Sequence, residues 1–537
     1  MSGTGLEATQ ITLLILLLSV VALGALARKL QRPYPIVLVI GGLLFGFVPG
    51  MPRVTLNPDI VFFVVLPPLL YSAAWNTSWK DFRKNLVTIA FLAVGLVAFT
   101  VVSVALAGPS LFPGFDWRIG FVLGAVVATT DSIAATSISK RLGLPKRIVD
   151  ILEGESLVND ATGLLALEFG IAMVVRGQTP TVVEGALRLI YLSVAGVVVG
   201  LILARIVEWF EYRIDDAPIE IAISIFVPYS AYLAGELIHA SGVLSVVAAG
   251  LYLGRKSSRF FSSGVRLQTG AVWNALTFIL NGLVFVVIGL QLPYVLGEIS
   301  GGKPVELFMD CVLFSAFLIC LRLLWTFPGA GVGYVVRKHL LHRAEEWPGA
   351  RSVFVVGWTG MRGVIALAAA ISLPRNLSDG SPFPQRNLII FLTFSVILVT
   401  LVVQGLTLPA LIRALGLQGT TSAKSGTDEA RRLVMKAALE HLAGSRHASP
   451  EVVEDIARHY RDRLASLKPT KDDSDGQSSK EYEEHRKLSR ELLKVEREAA
   501  LRLRLEGRIS DEALREIERD LDLSVLRLNS GPGSLAE

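Results

Sequence analysis

Three acidic side chains in two neighbouring apolar segments are the residues of this chain with the clearest potential for chemistry. Asp131 ends the run Ala-Thr-Thr-Asp, and Glu155 and Asp160 belong to the run Gly-Glu-Ser-Leu-Val-Asn-Asp at residues 154–160. The surrounding segments are apolar enough to span a bilayer, where a charged side chain costs at least about 3 kcal/mol. Carboxylates persist at that depth if they pair, face an aqueous cavity or bind a cation. The cluster therefore favours an ion pathway.

Polar neighbours supply further oxygen atoms around Asp160. Asn159 precedes it with an amide oxygen, and Ser156 lies one helical turn earlier on the same face. In the preceding segment, Thr130 and Asp131 add a hydroxyl, backbone carbonyls and a second carboxylate. Hard cations such as Na⁺ favour oxygen ligands, whereas a buried carboxylate without a cation tends to take up a proton. A group that holds either Na⁺ or H⁺, but not both, has the chemistry of exchange.

Glu155 and Arg362 are both intramembrane and opposite in charge, so the sequence predicts that they pair. Loss of one partner from a buried ion pair costs about 3–5 kcal/mol, which would make this pair architectural. One alternative is that Glu155 is itself an ion ligand. Another is that the whole polar set makes only packing contacts between helices.

Composition divides the chain into two regions. Of the 537 residues, 52% are hydrophobic and only 18% are charged, against about 25% charged in an ordinary soluble domain. Residues 1–415 form a series of apolar runs, whereas residues 416–537 are dense in Glu, Arg, Lys and Asp. We therefore predict a transmembrane domain followed by a cytoplasmic helical tail, with a linker near residues 468–479.

The apolar region predicts an all-α polytopic membrane protein with about thirteen spans at roughly 20 residues each. Basic residues cluster in alternate loops, and the positive-inside rule places those loops in the cytoplasm. An odd number of spans then puts the N-terminus outside and the tail inside the cell membrane. The predicted spans are 10–28, 34–49, 58–75, 86–107, 118–140, 149–175, 187–208, 218–238, 241–255, 270–293, 308–327, 351–373 and 388–414.

Two of these spans are interrupted by glycine and threonine, at residues 124–132 and 357–363. Paired interrupted helices in two halves of a chain are typical of inverted-repeat transporters. In such proteins they mark a binding site near the middle of the membrane. The interruptions therefore point to the same place as the carboxylates.

Other classes of function fit the sequence less well. The chain contains no Gly-x-x-x-x-Gly-Lys-Ser/Thr motif for ATP, and neither a cofactor nor a nucleic-acid partner is predicted. An intramembrane hydrolase using Ser156 and His239 would need the two side chains within about 3 Å, yet they belong to different spans. We therefore predict that the protein is not an enzyme. An uncoupled cation channel or sensor with the same carboxylates remains an alternative.

At these motifs the chain resembles the sodium/proton exchanger branch of the monovalent cation:proton antiporters, NhaP-like in bacteria. The matching segments occur in the family's order across about residues 10–415. They are Phe62-Phe63 with Leu66-Pro67-Pro68-Leu69-Leu70, Thr130-Asp131, residues 154–160, Gly235-Glu236 with Ser241-Gly242, Gly360-Met361-Arg362-Gly363, and Val403-Gln404-Gly405-Leu406-Thr407.

The resemblance implies a homodimer whose core domain holds two discontinuous helices that cross near Asp131 and Arg362. It implies elevator-like alternating access, with Asp160 as the carrier carboxylate. One-for-one electroneutral exchange is implied as well, because Asn159 cannot titrate. One feature departs from the family pattern: Ser72 stands where many members carry an acidic residue. This departure leaves K⁺ and Li⁺ open beside Na⁺ as the exchanged cation.

Overall fold

The computed structural model consists of helices and loops, with one isolated β-bridge between Asn376 and Pro382 in the part of the chain that it describes. The chain divides into two compact units, residues 1–419 and 420–537. The structure describes residues 3–48, 57–177, 181–298, 304–340, 347–377, 379–417, 422–443, 450–465 and 476–506, with a few further positions between 342 and 525.

The described part of the first unit contains eighteen α-helices; the π-helical stretches Val61–Val65 and Thr400–Gln404 each join two of them, and Val336–Leu340 follows one. A π-helical stretch, Phe91–Leu96, also joins two helices of one long span. The helices are α1 (Gly3–Lys29), α2 (Tyr34–Gly46), α3 (Pro58–Ile60), α4 (Leu66–Asn76), α5 (Trp79–Ala90), α6 (Val97–Leu111), α7 (Trp117–Ala128), α8 (Ser132–Leu142), α9 (Lys146–Arg176), α10 (Val182–Glu211), α11 (Ala217–Leu237), α12 (Gly242–Phe260), α13 (Ser263–Glu298), α14 (Pro304–Val335), α15 (Ala350–Trp358), α16 (Val364–Ile371), α17 (Arg386–Val399) and α18 (Gly405–Ala414).

Each predicted span falls on one of these helices or on consecutive helical segments. Within the described ranges, nine helical stretches are long and apolar enough to cross a membrane by themselves. Two shorter apolar helices, α2 and α7, accompany them. The all-helical membrane fold is thus confirmed, while the count of thirteen crossings stays a prediction.

Both predicted interruptions are present. The first lies between α7, which ends at Ala128, and α8, which begins at Ser132. The second lies between α15, which ends at Trp358, and α16, which begins at Val364. The two breaks are adjacent in space, because the Asp131 amide donates a hydrogen bond of 2.8 Å to the Met361 carbonyl. Their backbones therefore meet inside the helix bundle.

A buried apolar core holds the first interrupted helix in place. Val122 and Leu123 of α7 are fully buried and pack in one cluster with Val101 of α6 and Phe391 of α17. Burial of such side chains contributes about 1.5–3 kcal/mol each. This packing stabilises a helix that stops before it has crossed a bilayer.

The second unit is described as three helices: α19 (Ser422–Ala443), α20 (Pro450–Ala465) and α21 (Gly476–Leu505). The linker predicted at residues 468–479 is partly helical, because α21 already includes its last residues, 476–479. Residues 468–475 of that linker lie outside the described residues.

Candidate functional site

Asp160 lies in the middle of α9, with a side chain that is only 2% exposed. Among the described residues, no group donates a hydrogen bond to its Oδ1 atom. The side chain lines a small cavity of about 70 Å³ together with Thr130, Asp131 and Ser156. A buried carboxylate oxygen without a donor is costly, and a cation or proton at this point would remove the cost.

The cavity brings together four of the five predicted ion-site residues. Asn159 is also buried, but it is not among the residues that line the cavity. Its amide nitrogen donates to Thr130 Oγ1, so it holds the first interruption against α9. Its Oδ1 atom has no hydrogen-bond partner within the described part of the chain. The two carboxylates and the neutral oxygens of the cavity suit a weakly held hard cation.

Thr130 is the link between the first interruption and α9. Its carbonyl accepts a hydrogen bond of 3.0 Å from Ser156 Oγ, and its hydroxyl donates to Glu155 Oε1 at 3.3 Å. Since the interrupted backbone lacks intrahelical partners, Ser156 supplies one for the Thr130 carbonyl, while Glu155 bonds the Thr130 side chain. The geometry of the cavity therefore depends on three polar side chains of one helix, which are Glu155, Ser156 and Asn159.

The partner of Glu155 is Arg322 of α14, and the predicted pair with Arg362 is wrong. The Arg322 guanidinium donates two hydrogen bonds to the Glu155 carboxylate, at 2.5 and 2.9 Å. Arg322 Nε also donates to the Gly357 carbonyl at 3.2 Å, at the end of α15. Both side chains are almost completely buried, so this fork-shaped pair joins three helices in a low-dielectric interior.

A glycine explains why Arg322 can occupy this position. A Cβ atom on Gly360 would lie 2.1 Å from Arg322 Cδ, so only glycine admits the arginine stem at the second interruption. Arg322 was visible in the sequence as a charge inside an apolar span. No local signal named its partner, because the pair connects residues that are far apart in the chain.

Arg362 has a different role from the one predicted. Its Nε donates to the Val127 carbonyl at 3.1 Å, and its Nη1 donates to the Gly360 carbonyl. Val127 belongs to the last turn of α7, and Gly360 follows the end of α15. The C-terminal ends of helices carry partial negative charge. Arg362 therefore compensates the ends of both half-helices that stop inside the bundle.

Asp131 occupies the complementary position at the helix N-terminal ends. It directly precedes α8, and a Cβ atom on Gly363, the residue before α16, would lie 2.3 Å from Asp131 Oδ2. The carboxylate thus lies against the first turns of two half-helices, where partial positive charge favours an anion. The crossing has a cation at its two C-terminal ends and an anion at its two N-terminal ends.

Asn281 of α13 is a cavity residue that the sequence interpretation missed. It is 7% exposed and lines the same cavity as Asp160, from a different helix. Its signal was an uncharged amide inside the apolar span predicted at residues 270–293. Apolar walls complete the cavity, and the α4 residues among them are Leu66, Leu69, Leu70 and Ala73.

A serine hydrolase arrangement is absent from this part of the structure. Ser156 lines the Asp160 cavity and donates to the Thr130 carbonyl. His239 lines a separate cavity of about 520 Å³, together with Glu168 and Glu236. The two side chains that a hydrolase would need therefore face different spaces.

The fold and the site together define a multi-pass membrane transporter with a carboxylate site at crossed, interrupted helices. The family description "Sodium/hydrogen exchanger, transmembrane" matches residues 14–414. The chain belongs to this sodium/hydrogen exchanger family, whose members are transporters and not enzymes.

Curated relatives cover nearly the whole chain. Rv2287 of Mycobacterium tuberculosis, named as an uncharacterized Na⁺/H⁺ exchanger, is 31% identical over 535 residues, which are 98% of this chain and 97% of the relative. The sodium, potassium, lithium and rubidium/H⁺ antiporter of Bacillus subtilis is 30% identical over 530 residues, covering 96% and 78%. The Na⁺/H⁺ antiporter ApNhaP of Aphanothece halophytica is 31% identical over 450 residues, covering 83% and 80%.

A solved structure has the same fold. The sodium proton antiporter MjNhaP1 of Methanocaldococcus jannaschii aligns with a TM-score of 0.57 at 20% identity. The alignment covers 77% of this chain and 100% of that protein. This likeness supports the helical architecture of the first unit.

Proposed function

We propose that the protein exchanges Na⁺ for H⁺ across the cell membrane, with Asp160 as the group that binds either ion. The observation that carries the proposal is the Asp160 carboxylate, buried in a small cavity with an oxygen atom that lacks a donor in the described chain. Family membership supports cation/proton antiport as the class of activity.

Competition for one carboxylate explains how the two fluxes are coupled. An empty, ionised Asp160 would carry an uncompensated charge through the low-dielectric interior during any rearrangement. A bound proton or a bound monovalent cation neutralises that charge. The loaded forms can therefore change their access to the two sides of the membrane, whereas the empty form cannot. Asp131, Thr130 and Ser156 would supply the remaining oxygens around the cation.

The charges around Asp160 support one-for-one, electroneutral exchange. Asn159 cannot titrate, and Glu155 is compensated by Arg322 in a bidentate pair. Asp131 lies against two helix N-termini, whose partial positive charge attracts an anion. Only Asp160 is then left to exchange a proton for a cation in each cycle.

Alternating access requires a route to Asp160 from each side. The cavity of about 520 Å³ is lined in part by Val158, Ala161 and Thr162, on the turns of α9 around Asp160. Glu168 and Glu236 line the same cavity and would attract cations toward it. We propose that this cavity is the outer vestibule of an elevator-like homodimer. Its N-terminus would be outside, residues 1–415 would form the transmembrane domain, and the tail of residues 416–537 would lie in the cytoplasm.

The test is transport by the purified full chain in proteoliposomes that contain a pH-sensitive dye. An imposed ΔpH should dissipate on addition of Na⁺, without a change when valinomycin and K⁺ clamp the voltage. Each pH unit supplies about 1.36 kcal/mol, so the gradient alone suffices to drive exchange. Voltage-dependent dissipation would contradict electroneutrality, and no response to Na⁺, Li⁺ or K⁺ would contradict antiport.

A second candidate is K⁺/H⁺ antiport by the same mechanism. The printed name of the Bacillus subtilis relative includes potassium, lithium and rubidium beside sodium. The α4 residues that line the cavity are apolar. Ser72, which stands where the family resemblance implies an acid, lies on the same helix but does not line the cavity. The same assay with each cation in turn separates the two candidates. In it, the voltage is clamped by a permeant ion that is neither a proton nor one of the tested cations. A cation current without proton flux would instead indicate an uncoupled channel.

A further inference from the structure

A second cavity, of about 690 Å³, lies among α1, α2, α8, α13 and α18 and does not include Asp160. Three arginines line it. Arg28 and Arg32 lie at and just beyond the end of α1, and Arg413 lies in the last turn of α18. Segments from the beginning and the end of the first unit's sequence therefore bring positive charge to the same cavity.

Within the described ranges, these three charges have no acidic partner. Among the described residues, none that lines the cavity is acidic, and no carboxylate pairs with Arg28, Arg32 or Arg413. Arginines are favoured near helix C-termini, which accounts for one charge at each helix end. It does not account for the convergence of three guanidinium groups on one cavity. Guanidinium groups in such an arrangement favour an anion with several oxygen atoms, of which a phosphate group is the usual example.

The rest of the cavity is largely apolar. Its lining includes Ile138 and Leu142 of α8, Phe278 of α13, and Leu406 and Pro409 of α18. An inorganic anion would gain nothing from such walls. A ligand with a phosphate at one end and a hydrocarbon chain at the other would use both halves of the cavity.

The cavity lies where membrane phospholipids, which are ligands of this kind, are present. The apolar span Gln10–Lys29 ends where the arginines begin, which is the level of the lipid head groups. Leu26, Leu30 and Leu406 beside them are 42%, 54% and 40% exposed, so apolar surface is uncovered next to the basic groups. Basic pockets between membrane helices at such a boundary bind anionic lipid head groups.

We propose that this cavity binds an anionic phospholipid, with its phosphate on Arg28, Arg32 and Arg413 and an acyl chain along the apolar lining. The lipid would contact α8, the half-helix that begins directly after Asp131. Occupancy would therefore stabilise one arrangement of the crossed helices. This consequence rests on the proposed antiport function, whereas the binding site does not.

Binding can be measured without transport. The purified full chain in detergent is titrated with phosphatidylglycerol and, separately, with phosphatidylcholine, and lipid adducts are counted by native mass spectrometry alongside thermal unfolding. We expect phosphatidylglycerol to bind and to raise the melting temperature, and phosphatidylcholine to do neither. An arginine near an anionic lipid surface strengthens binding roughly fivefold, so Arg28→Gln, Arg32→Gln and Arg413→Gln together should weaken it about a hundredfold.

A matched control removes the same charge elsewhere. Lys80→Gln, Arg83→Gln and Arg255→Gln remove three exposed basic groups from α5 and α12 on the same predicted face of the membrane, outside this cavity. This variant should bind phosphatidylglycerol like the wild type. Leu406→Trp keeps all three arginines but fills the apolar side, and it should weaken binding even if the triple arginine variant does not fold.

Several results would overturn the proposal. Equal binding by the wild type and the triple arginine variant would do so, as would equal loss in the control variant. Stabilisation by inorganic phosphate at the same concentration would mean a free-anion site and not a lipid site. No phosphatidylglycerol binding by the wild type would mean that another element, such as a second copy of the chain, covers the cavity. Intact lipid binding with no cation exchange would instead contradict the proposed function and leave this site standing.

Discussion

Glu155 and Asp160 lie on the same helix, and both side chains are almost fully buried, yet their hydrogen-bond partners differ. Glu155 accepts two hydrogen bonds from Arg322 and a third from the Thr130 hydroxyl. Asp160 has an oxygen atom with no donor in the described part of the chain, and it faces an internal cavity. The difference between the two regions lies in the partners and not in the depth of burial.

This comparison shows how one helix can hold a permanent ion pair beside an exchangeable site. A fully paired carboxylate is stabilised in its ionised form and cannot release its partner cheaply. An unpaired carboxylate at the same depth must acquire a proton or a cation. The proposed antiport would use the second case, whereas the Glu155–Arg322 pair joins the surrounding helices.

The largest effect is expected for Asp160→Asn, which removes the exchangeable group but keeps the size of the side chain. Cation-dependent proton flux in proteoliposomes should fall to the background of empty liposomes. The melting temperature of the purified protein should stay the same or rise, because a buried charge is lost. The control is Glu153→Gln, a half-buried acid on the same helix that lines neither the Asp160 cavity nor the proposed vestibule, which should keep most of the activity. Substantial exchange by Asp160→Asn would remove the contrast between the two carboxylates.

Arg322→Ala tests the contribution of the buried Glu155–Arg322 pair to stability. It leaves Glu155 buried and unpaired, so the free energy of unfolding should fall by about 3–5 kcal/mol. The melting temperature of the detergent-solubilised protein measures the loss. In a double-mutant cycle, Glu155→Gln should couple strongly with Arg322→Gln and more weakly with Arg362→Gln. Stronger coupling with Arg362 would contradict the pairing in this structure.

Gly363→Ala tests whether Asp131, at the crossing of the interrupted helices, contributes to cation binding. The new methyl group would lie 2.3 Å from Asp131 Oδ2, so that carboxylate must move away from the helix N-termini. We expect the half-saturating cation concentration to rise about tenfold, equal to roughly 1.4 kcal/mol of cation binding. Gly185→Ala in α10, where a Cβ atom meets nothing within 4 Å, is the matched control. Unchanged cation affinity in Gly363→Ala would mean that Asp131 does not contribute to the site.

The smallest effect is expected for Asn281→Ala, which removes an uncharged amide from the cavity wall. Loss of one hydrogen-bonding group contributes about 1 kcal/mol, so the half-saturating cation concentration should rise about fivefold. The maximal exchange rate at saturating cation should change little, because Asp160 is intact. A loss as complete as that of Asp160→Asn would show that ion binding does not centre on Asp160.

Much of this protein could be predicted from the order of its residues. Runs of apolar residues predicted helices at every span, because a bilayer requires a long apolar helix whose backbone is satisfied internally. The glycines and threonines at residues 124–132 and 357–363 predicted the two interruptions. Asp160, Asp131, Thr130 and Ser156 could be grouped because carboxylates inside such runs are costly and local spacing places them together.

Tertiary structure decided which charges meet. The sequence predicted a pair between Glu155 and Arg362, but Arg322 also lies inside an apolar span, and charge alone cannot distinguish the two arginines. Helix packing brings Arg322 to the carboxylate and turns Arg362 toward the carbonyls of Val127 and Gly360. Asn281 enters the cavity for the same reason, since α13 is distant in the chain but adjacent in space. Local composition determines whether a segment spans the membrane, whereas the partner of a buried group depends on packing between helices that no local pattern encodes.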